Sequence, residues 1–362
     1  MAEVDKPLSR AHFAGLSEGA MAMKALTTVS DLAAAGLVEP SAALDAVAER
    51  FRIRLSPAMR AQAGSAGVAR QFVPDVAELL IRPEERADPI GDRAFSPAPG
   101  LTHRYPDRVI LAVTQTCEVY CRFCFRRETV GAAGALPEAG LNAALAYIAA
   151  TPAIREVILT GGDPLSLSAR RLGAVLDRLE AVPHVETLRI HSRVPVVAPE
   201  RMDAAMLAVL DREKPVHLVI HTNHPDELGE PARAVLRRLN RAGVAMFSQS
   251  VLLRGVNDDT DTLEALFRAL IRNRVKPYYL HHCDLAEGTS HFRTTIAEGR
   301  ALMAELKRRL SGLALPSYVL DIPGGAGKIA LTPGMAEEVA PGEWRVTDRL
   351  GEVHRYDDPA RD

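Results

Sequence analysis

The sequence predicts an α/β fold of the incomplete (β/α)6-barrel type, preceded by a helical extension and followed by a short tail. Three observations predict it. Short β-branched runs recur between residues 108 and 320, amphipathic Ala/Leu/Arg segments separate them, and the chemically distinctive residues fall just after the runs. Apolar runs without alternation suit parallel strands covered by helices on their faces. Six or seven strand-helix units in series fit a full or partial barrel better than a doubly wound sheet.

Residues 1–100 read as the extension, with helical periodicity over 41–50 and a Pro-rich connector over 82–100. Residues 101–315 form the expected core. Its strand runs are RVILAVT (108–114), REVILT (155–160), VETLRI (185–190), VHLVI (216–220), VAMFSQS (244–250) and VKPYYL (275–280). A seventh, SYVL (317–320), opens the last segment, 316–362. Helix-like stretches such as ARRLGAVLDRLEAV, PARAVLRRLNRAG and AEGRALMAELKRRL lie between the runs. After successive runs come TQTCEVYCRFCFRR, GGDP, HSR, HTNHPDE, SQS, HHCD and DIPGGAGK. In a βα barrel the strand C-termini meet on one face, where active sites are built.

Composition narrows the function. A net charge of −2 over 362 residues gives no reason to expect a nucleic-acid partner. No apolar run approaches the roughly 20 residues that cross a bilayer. MAEVDKPLSRAHFAG lacks a secretory apolar stretch, so a cytoplasmic setting is expected. Reducing conditions there argue against a disulfide framework for the four cysteines.

Cys117, Cys121 and Cys124 are spaced C-x3-C-x2-C. Three thiolates from one loop can hold three irons of a cubane and leave the fourth open to a small molecule. Structural zinc needs four ligands, and the remaining cysteine, Cys283, stands alone in sequence. With Phe123 before the last cysteine, the segment resembles the signature of the radical S-adenosylmethionine superfamily. The resemblance implies a [4Fe–4S] cluster that binds S-adenosylmethionine and cleaves it, by one-electron transfer, to a 5′-deoxyadenosyl radical. It also implies that Gly161, Gly162 and Asp163 receive the methionyl amine. Such a turn suits close backbone approach.

A second set of motifs is more specific. LTHRYPDRV (101–109), CRFCFRR (121–127), LTGGDPL (159–165), PYYLHHCDL (277–285), HFRT (291–294) and DIPGGAGK (321–328) together resemble lysine 2,3-aminomutase over roughly residues 50–335. That family implies pyridoxal 5′-phosphate carried on Lys328, with Arg104, Tyr105 and Arg108 beside it; paired guanidiniums suit a phosphate. It further implies His221, Gln249 and Ser192 near S-adenosylmethionine. Arg126 would grip the substrate carboxylate, and Asp284 and Asp321 the distal ammonium of lysine. Two carboxylates suit a buried ammonium, since an unpaired buried charge is costly. The implied reaction is the 1,2-amino shift from L-lysine to β-lysine. The alternatives are β-lysine formation for modification of elongation factor P, and a 2,3-aminomutase for glutamate or another amino acid. An electron donor is required, and a homo-oligomer is compatible with the sequence. The larger family members end in a zinc-binding cysteine-rich tail. Here the tail has no cysteine and Asp259 takes the upstream ligand position, so no zinc is expected.

Overall fold

The computed structural model describes residues 24–357 apart from 333, 335, 342 and 349. Four short helices open it: α1 (Val29–Ala34), α2 (Ala42–Arg50), α3 (Pro57–Gln62) and α4 (Ala66–Phe72). Capping residues mark their starts. Thr28, Ser41 and Ser56 each accept a bond from a backbone N–H one turn on, which satisfies donors the helix leaves free.

Nine strands form one sheet in sequential order: β1 (Leu101–Tyr105), β2 (Arg108–Thr114), β3 (Glu156–Gly161), β4 (Thr187–Ser192), β5 (Val216–His221), β6 (Ala245–Leu252), β7 (Lys276–His282), β8 (Ser317–Ile322) and β9 (Gly327–Ala330). β2 to β8 are parallel, as the seven apolar runs predict. The flanking β1 and β9 are antiparallel and were not expected. Both are short, at five and four residues, so periodicity gave them no signal. They also carry Arg104, Tyr105 and Lys328. The sheet therefore runs across the division expected at residue 315, because β8 hydrogen-bonds onto β7, and β9 onto β8, to complete the barrel wall.

The parallel strands are covered by α5 (Glu138–Ala149), α6 (Ala169–Glu180), α7 (Val194–Val197), α8 (Ala204–Val209), α9 (Glu230–Arg241), α10 (Thr260–Arg272) and α11 (Ile296–Arg309). In α9, Ala232, Val235, Leu236 and Leu239 are buried on one face, while the arginines take the other. Asp259 caps α10 by accepting from the Thr262 N–H. Beyond β9 lies a three-stranded antiparallel meander, β10 (Ala336–Ala340), β11 (Glu343–Thr347) and β12 (Val353–Asp357), in the segment expected as a tail. Among the described residues, no helix is long and apolar enough to cross a membrane.

The strands alternate strictly enough to separate two environments. In β4, Leu188 and Ile190 are buried on the helix side, whereas Arg189 and His191 line the barrel interior. β6 likewise turns Met246, Ser248 and Ser250 outward to the helices, and Gln249 and Val251 inward. Period-two alternation thus turns alternate side chains of each strand, several of them polar, into the lumen.

Candidate active site

The lumen holds a cavity of about 750 Å³. Every site residue singled out from the sequence lines it: Cys117, Cys121, Cys124, Arg126, Gly161, Gly162, Asp163, Ser192, His221, Gln249, Asp284, Asp321, Lys328, and Arg104, Tyr105 and Arg108.

At one end sit the cysteines, on the loop after β2. Burial pushes the thiols up, Cys124 to about 11 and Cys117 well above its ordinary range; neighbouring acidic groups add to the Cys117 shift. Burial also raises Cys121, against the opposing charge of Arg193. Such thiols ionise when a metal partner supplies positive charge. Among the described residues, only Asp348, Glu352 and His354 bring three potential ligand atoms within 4.8 Å of one another. Three thiolates delivered by one loop suit a cluster of several irons that leaves one iron open.

The Gly161–Gly162 turn has a clear steric reason. A Cβ on Gly162 would lie 2.3 Å from the Thr116 carbonyl oxygen, and one on Gly161 2.4 Å from that of Thr114. Gly161 also adopts a φ of 115°. The glycines let β3 close directly onto the cysteine loop, where the Gly162 N–H donates to Thr114 O (2.6 Å) and the Asp163 N–H to Thr116 O (2.8 Å). The Asp163 carboxylate turns away from this contact. It accepts from the Ser192 hydroxyl (2.7 Å), the Arg193 N–H (2.6 Å), the Val194 N–H (3.2 Å) and the Leu165 N–H (3.1 Å). Asp163 and Ser192 are thus occupied in holding the ends of β3 and β4 together. The Gly-Gly turn and its backbone are what remain for a ligand.

At the other end, Lys328 pairs with Asp321 and lies 3.3 Å from His281 Nδ1. Its ammonium also stands 5.4 Å from the centre of the Tyr279 ring. The Lys328 backbone N–H donates to the Tyr105 hydroxyl (2.9 Å), so a side chain from β1 reaches across the open edge of the barrel to β9. Gly324, Gly325 and Gly327 all have positive φ. A Cβ on Gly325 would meet the Phe95 ring at 2.3 Å, and one on Gly91 the Gly324 backbone at 2.6 Å. The Pro-rich connector is therefore packed against the Lys328 loop.

That connector also brings in Asp92, which sequence reasoning missed. Asp92 accepts from Arg126 Nη2 (2.7 Å) and from Arg104 Nη2 (2.8 Å). A lone Asp in a linker carries no motif. Arg104 further donates to Ile90 O (2.7 Å), while Arg108 lies 3.8 Å over the Tyr105 ring. Burial raises the Asp321 carboxyl, but His281 and the Lys328 ammonium outweigh it and hold it at about 2. Burial first, then the Asp321 charge, push Asp284 up to about 7. Burial drives His191 and His221 well below the usual imidazole range, so both are neutral.

Arg104 Nε and the Nε2 atoms of His191, His221 and His281 are buried without a hydrogen-bond partner among the described residues. Orphaned polar atoms around one cavity are the state that bound ligands relieve. With Lys328 as the sole lysine in the wall and Arg104 and Arg108 beside it, this end fits pyridoxal phosphate. The HSR and HHCD segments flagged His191, Arg193 and His281 without assigning them; the lumen-facing alternation of β4 and β7 was the signal available.

Fold and site together define an enzyme of the radical S-adenosylmethionine class, and the model of the Radical SAM superfamily matches residues 111–267. The chain is 39% identical to L-lysine 2,3-aminomutase of Fusobacterium nucleatum over 293 residues, 81% of this chain and 69% of that protein. It is 40% identical to L-lysine 2,3-aminomutase of Acetoanaerobium sticklandii over 293 residues, 81% of this chain and 71% of that one. To the Escherichia coli protein of the same name it is 40% identical over 263 residues, 72% and 77% of the two chains. Among solved structures, SuiB of Streptococcus suis bound to its precursor peptide superposes with a TM-score of 0.46 at 14% identity, covering 60% of this chain and 49% of that one. The chain belongs to the lysine 2,3-aminomutase family of radical S-adenosylmethionine enzymes. With the family come its isomerase class and its three cofactors, a [4Fe–4S] cluster, S-adenosylmethionine and pyridoxal phosphate.

Proposed function

We propose that this protein moves the α-amino group of L-lysine to C3, giving β-lysine. When bound, the cluster and S-adenosylmethionine supply a hydrogen-abstracting radical, and pyridoxal phosphate supplies a carrier for the migrating nitrogen. Cys117, Cys121 and Cys124 ligate three irons. The Gly161–Gly162 turn would receive S-adenosylmethionine, with His221 and Gln249 on the neighbouring wall and Asp163 and Ser192 fixing the turn. Lys328 anchors pyridoxal phosphate, flanked by Arg104, Tyr105 and Arg108.

The observation that carries the choice of lysine is the pair of carboxylates at the Lys328 end. Asp321 already holds one ammonium, that of Lys328, and burial, then the Asp321 charge, raise Asp284. Once Lys328 gives up its charge, two carboxylates are left for one incoming ammonium, which lysine has and glutamate lacks. Arg126 binds the substrate carboxylate by exchanging it for Asp92, the carboxylate it now pairs with. The parallel β strands and the packed connector keep water from the radical. A separate one-electron donor and a reducing, cytoplasmic setting complete the reading.

The test uses anaerobically reconstituted, reduced enzyme with both organic cofactors and L-lysine labelled with 15N at the α position. The 15N should appear bonded to C3 in the product by NMR. Label that stays on C2, with both cofactors bound, overturns the proposal.

A further inference from the structure

Arg193, the last residue of the HSR segment, is 5% exposed and belongs to no role assigned above. Its backbone is fixed by Asp163, and its guanidinium stacks 4.6 Å from the centre of Phe72 and 5.5 Å from that of Phe123. Nη1 donates to the Cys121 sulfur at 2.8 Å. Nη2 donates to Glu227 Oε2 (2.7 Å) and Gln71 Oε1 (2.5 Å). Glu227 has a side chain with no exposed surface, and its other oxygen accepts from Gln71 Nε2 (2.9 Å), Asn223 N (2.8 Å) and His224 N (2.9 Å). Gln71 comes from α4, and its carbonyl accepts from the Arg122 N–H in the cysteine loop (2.8 Å). The helical extension thus supplies part of the cage that aims one cation at one cluster ligand.

We propose that Arg193 is a positioning residue that sets the reduction potential of the cluster through the Cys121 sulfur. Glu227 and Gln71 hold it in place. This rests on the cluster assignment above. Reduction adds one negative charge beside Cys121, where burial makes electrostatic interactions strong. A fixed guanidinium donating to a ligand sulfur stabilises the more negative state, one of the recognised ways a protein tunes such centres. Glu227 plays two parts of opposite sign. Its carboxylate keeps Arg193 from being an unpaired buried charge, and it also cancels part of the cation's field at the sulfur.

These parts predict shifts in opposite directions. Midpoints are read by EPR-monitored reductive titration of the anaerobically reconstituted full chain, with iron and sulfide content measured on each sample. Arg193→Gln should move the midpoint to more negative potential. Glu227→Gln, whose amide oxygen can still accept from Arg193, should move it to less negative potential. Arg193→Lys, which keeps the charge but loses the planar fork, should fall between wild type and Arg193→Gln. The KM for lysine should be unchanged in all three. Loaded variants whose midpoints coincide with wild type, or both glutamine variants shifting the same way, would overturn the proposal and leave the enzyme assignment standing. A wild-type chain that holds no cluster would remove both.

Discussion

The two ends of the cavity satisfy their polar groups to different degrees. At the cysteine end, Asp163 accepts four bonds and Arg193 gives its Nη donors to a sulfur, a carboxylate and an amide, while Arg193 Nε and His221 Nε2 stay unpartnered among the described residues. At the Lys328 end, His191, His281 and Arg104 keep unpartnered buried nitrogens among the described residues, and burial together with the Asp321 charge outweighs the pull of Lys328 and Arg126 on Asp284. The contrast follows from what each end must do. A resident cluster calls for a rigid shell whose bonds never change. A substrate that exchanges its contacts with Lys328 and Asp92 calls for groups left free to be satisfied in turn.

The comparison is broken most severely by removing either anchor. Cys124→Ala should abolish the cluster's visible absorption and all turnover. Lys328→Ala should abolish protein-bound pyridoxal absorption and leave the cluster signal intact. Loss of both signals in either variant would mean that the ends are not independent.

Next in size is Gly162→Ala. Its Cβ would have to displace the Thr116 carbonyl, and overpacking of this kind costs about 1–3 kcal/mol. A thermal melt should show a lower midpoint together with poorer cluster retention. A Gly324→Ala change at the opposite end meets only Arg86 at 3.9 Å and is opposed mainly by its φ of 82°. It should disturb pyridoxal binding before stability.

Removal of one charge follows. Asp321→Asn should raise the KM for lysine by roughly 30-fold or more, the scale of about 2 kcal/mol or above for breaking a buried charge pair. An unchanged KM would sever Asp321 from the substrate ammonium.

The smallest effect is a pH dependence. Asp284 sits at about 7 against an ordinary value of 3.8, raised first by burial and then by Asp321. Below that pH it is protonated and offers an ammonium no charge; above it, the second carboxylate appears. KM for lysine should therefore fall as pH rises through about 7, and Asp284→Asn should flatten the profile. The sign for stability is opposite: a raised carboxyl favours the ligand-free fold at low pH, and that contribution is lost as pH rises through 7.

Much of this was legible in the residues. The seven parallel strands show as apolar runs, and the motifs at their C-terminal ends all reach one cavity because parallel strands deliver them to one face. What stayed hidden depends on partners distant in sequence. β1 and β9 are edges too short for periodicity, and Asp92 sits in a stretch that reads as linker until it meets Arg104 and Arg126. GGD was legible as a tight turn, but the steric reason lies in Thr114 and Thr116 on another strand's loop. Arg193 was visible in HSR; its contact with Cys121, 72 residues earlier, was not.

The central claim is that the charges at the Lys328 end choose lysine. The direct measurement is kcat/KM for L-lysine and L-glutamate with the same reduced, fully loaded enzyme, by product mass and NMR. A preference for lysine, reduced when Asp321 is replaced by Asn, is the predicted result. Turnover of glutamate in preference to lysine would contradict it.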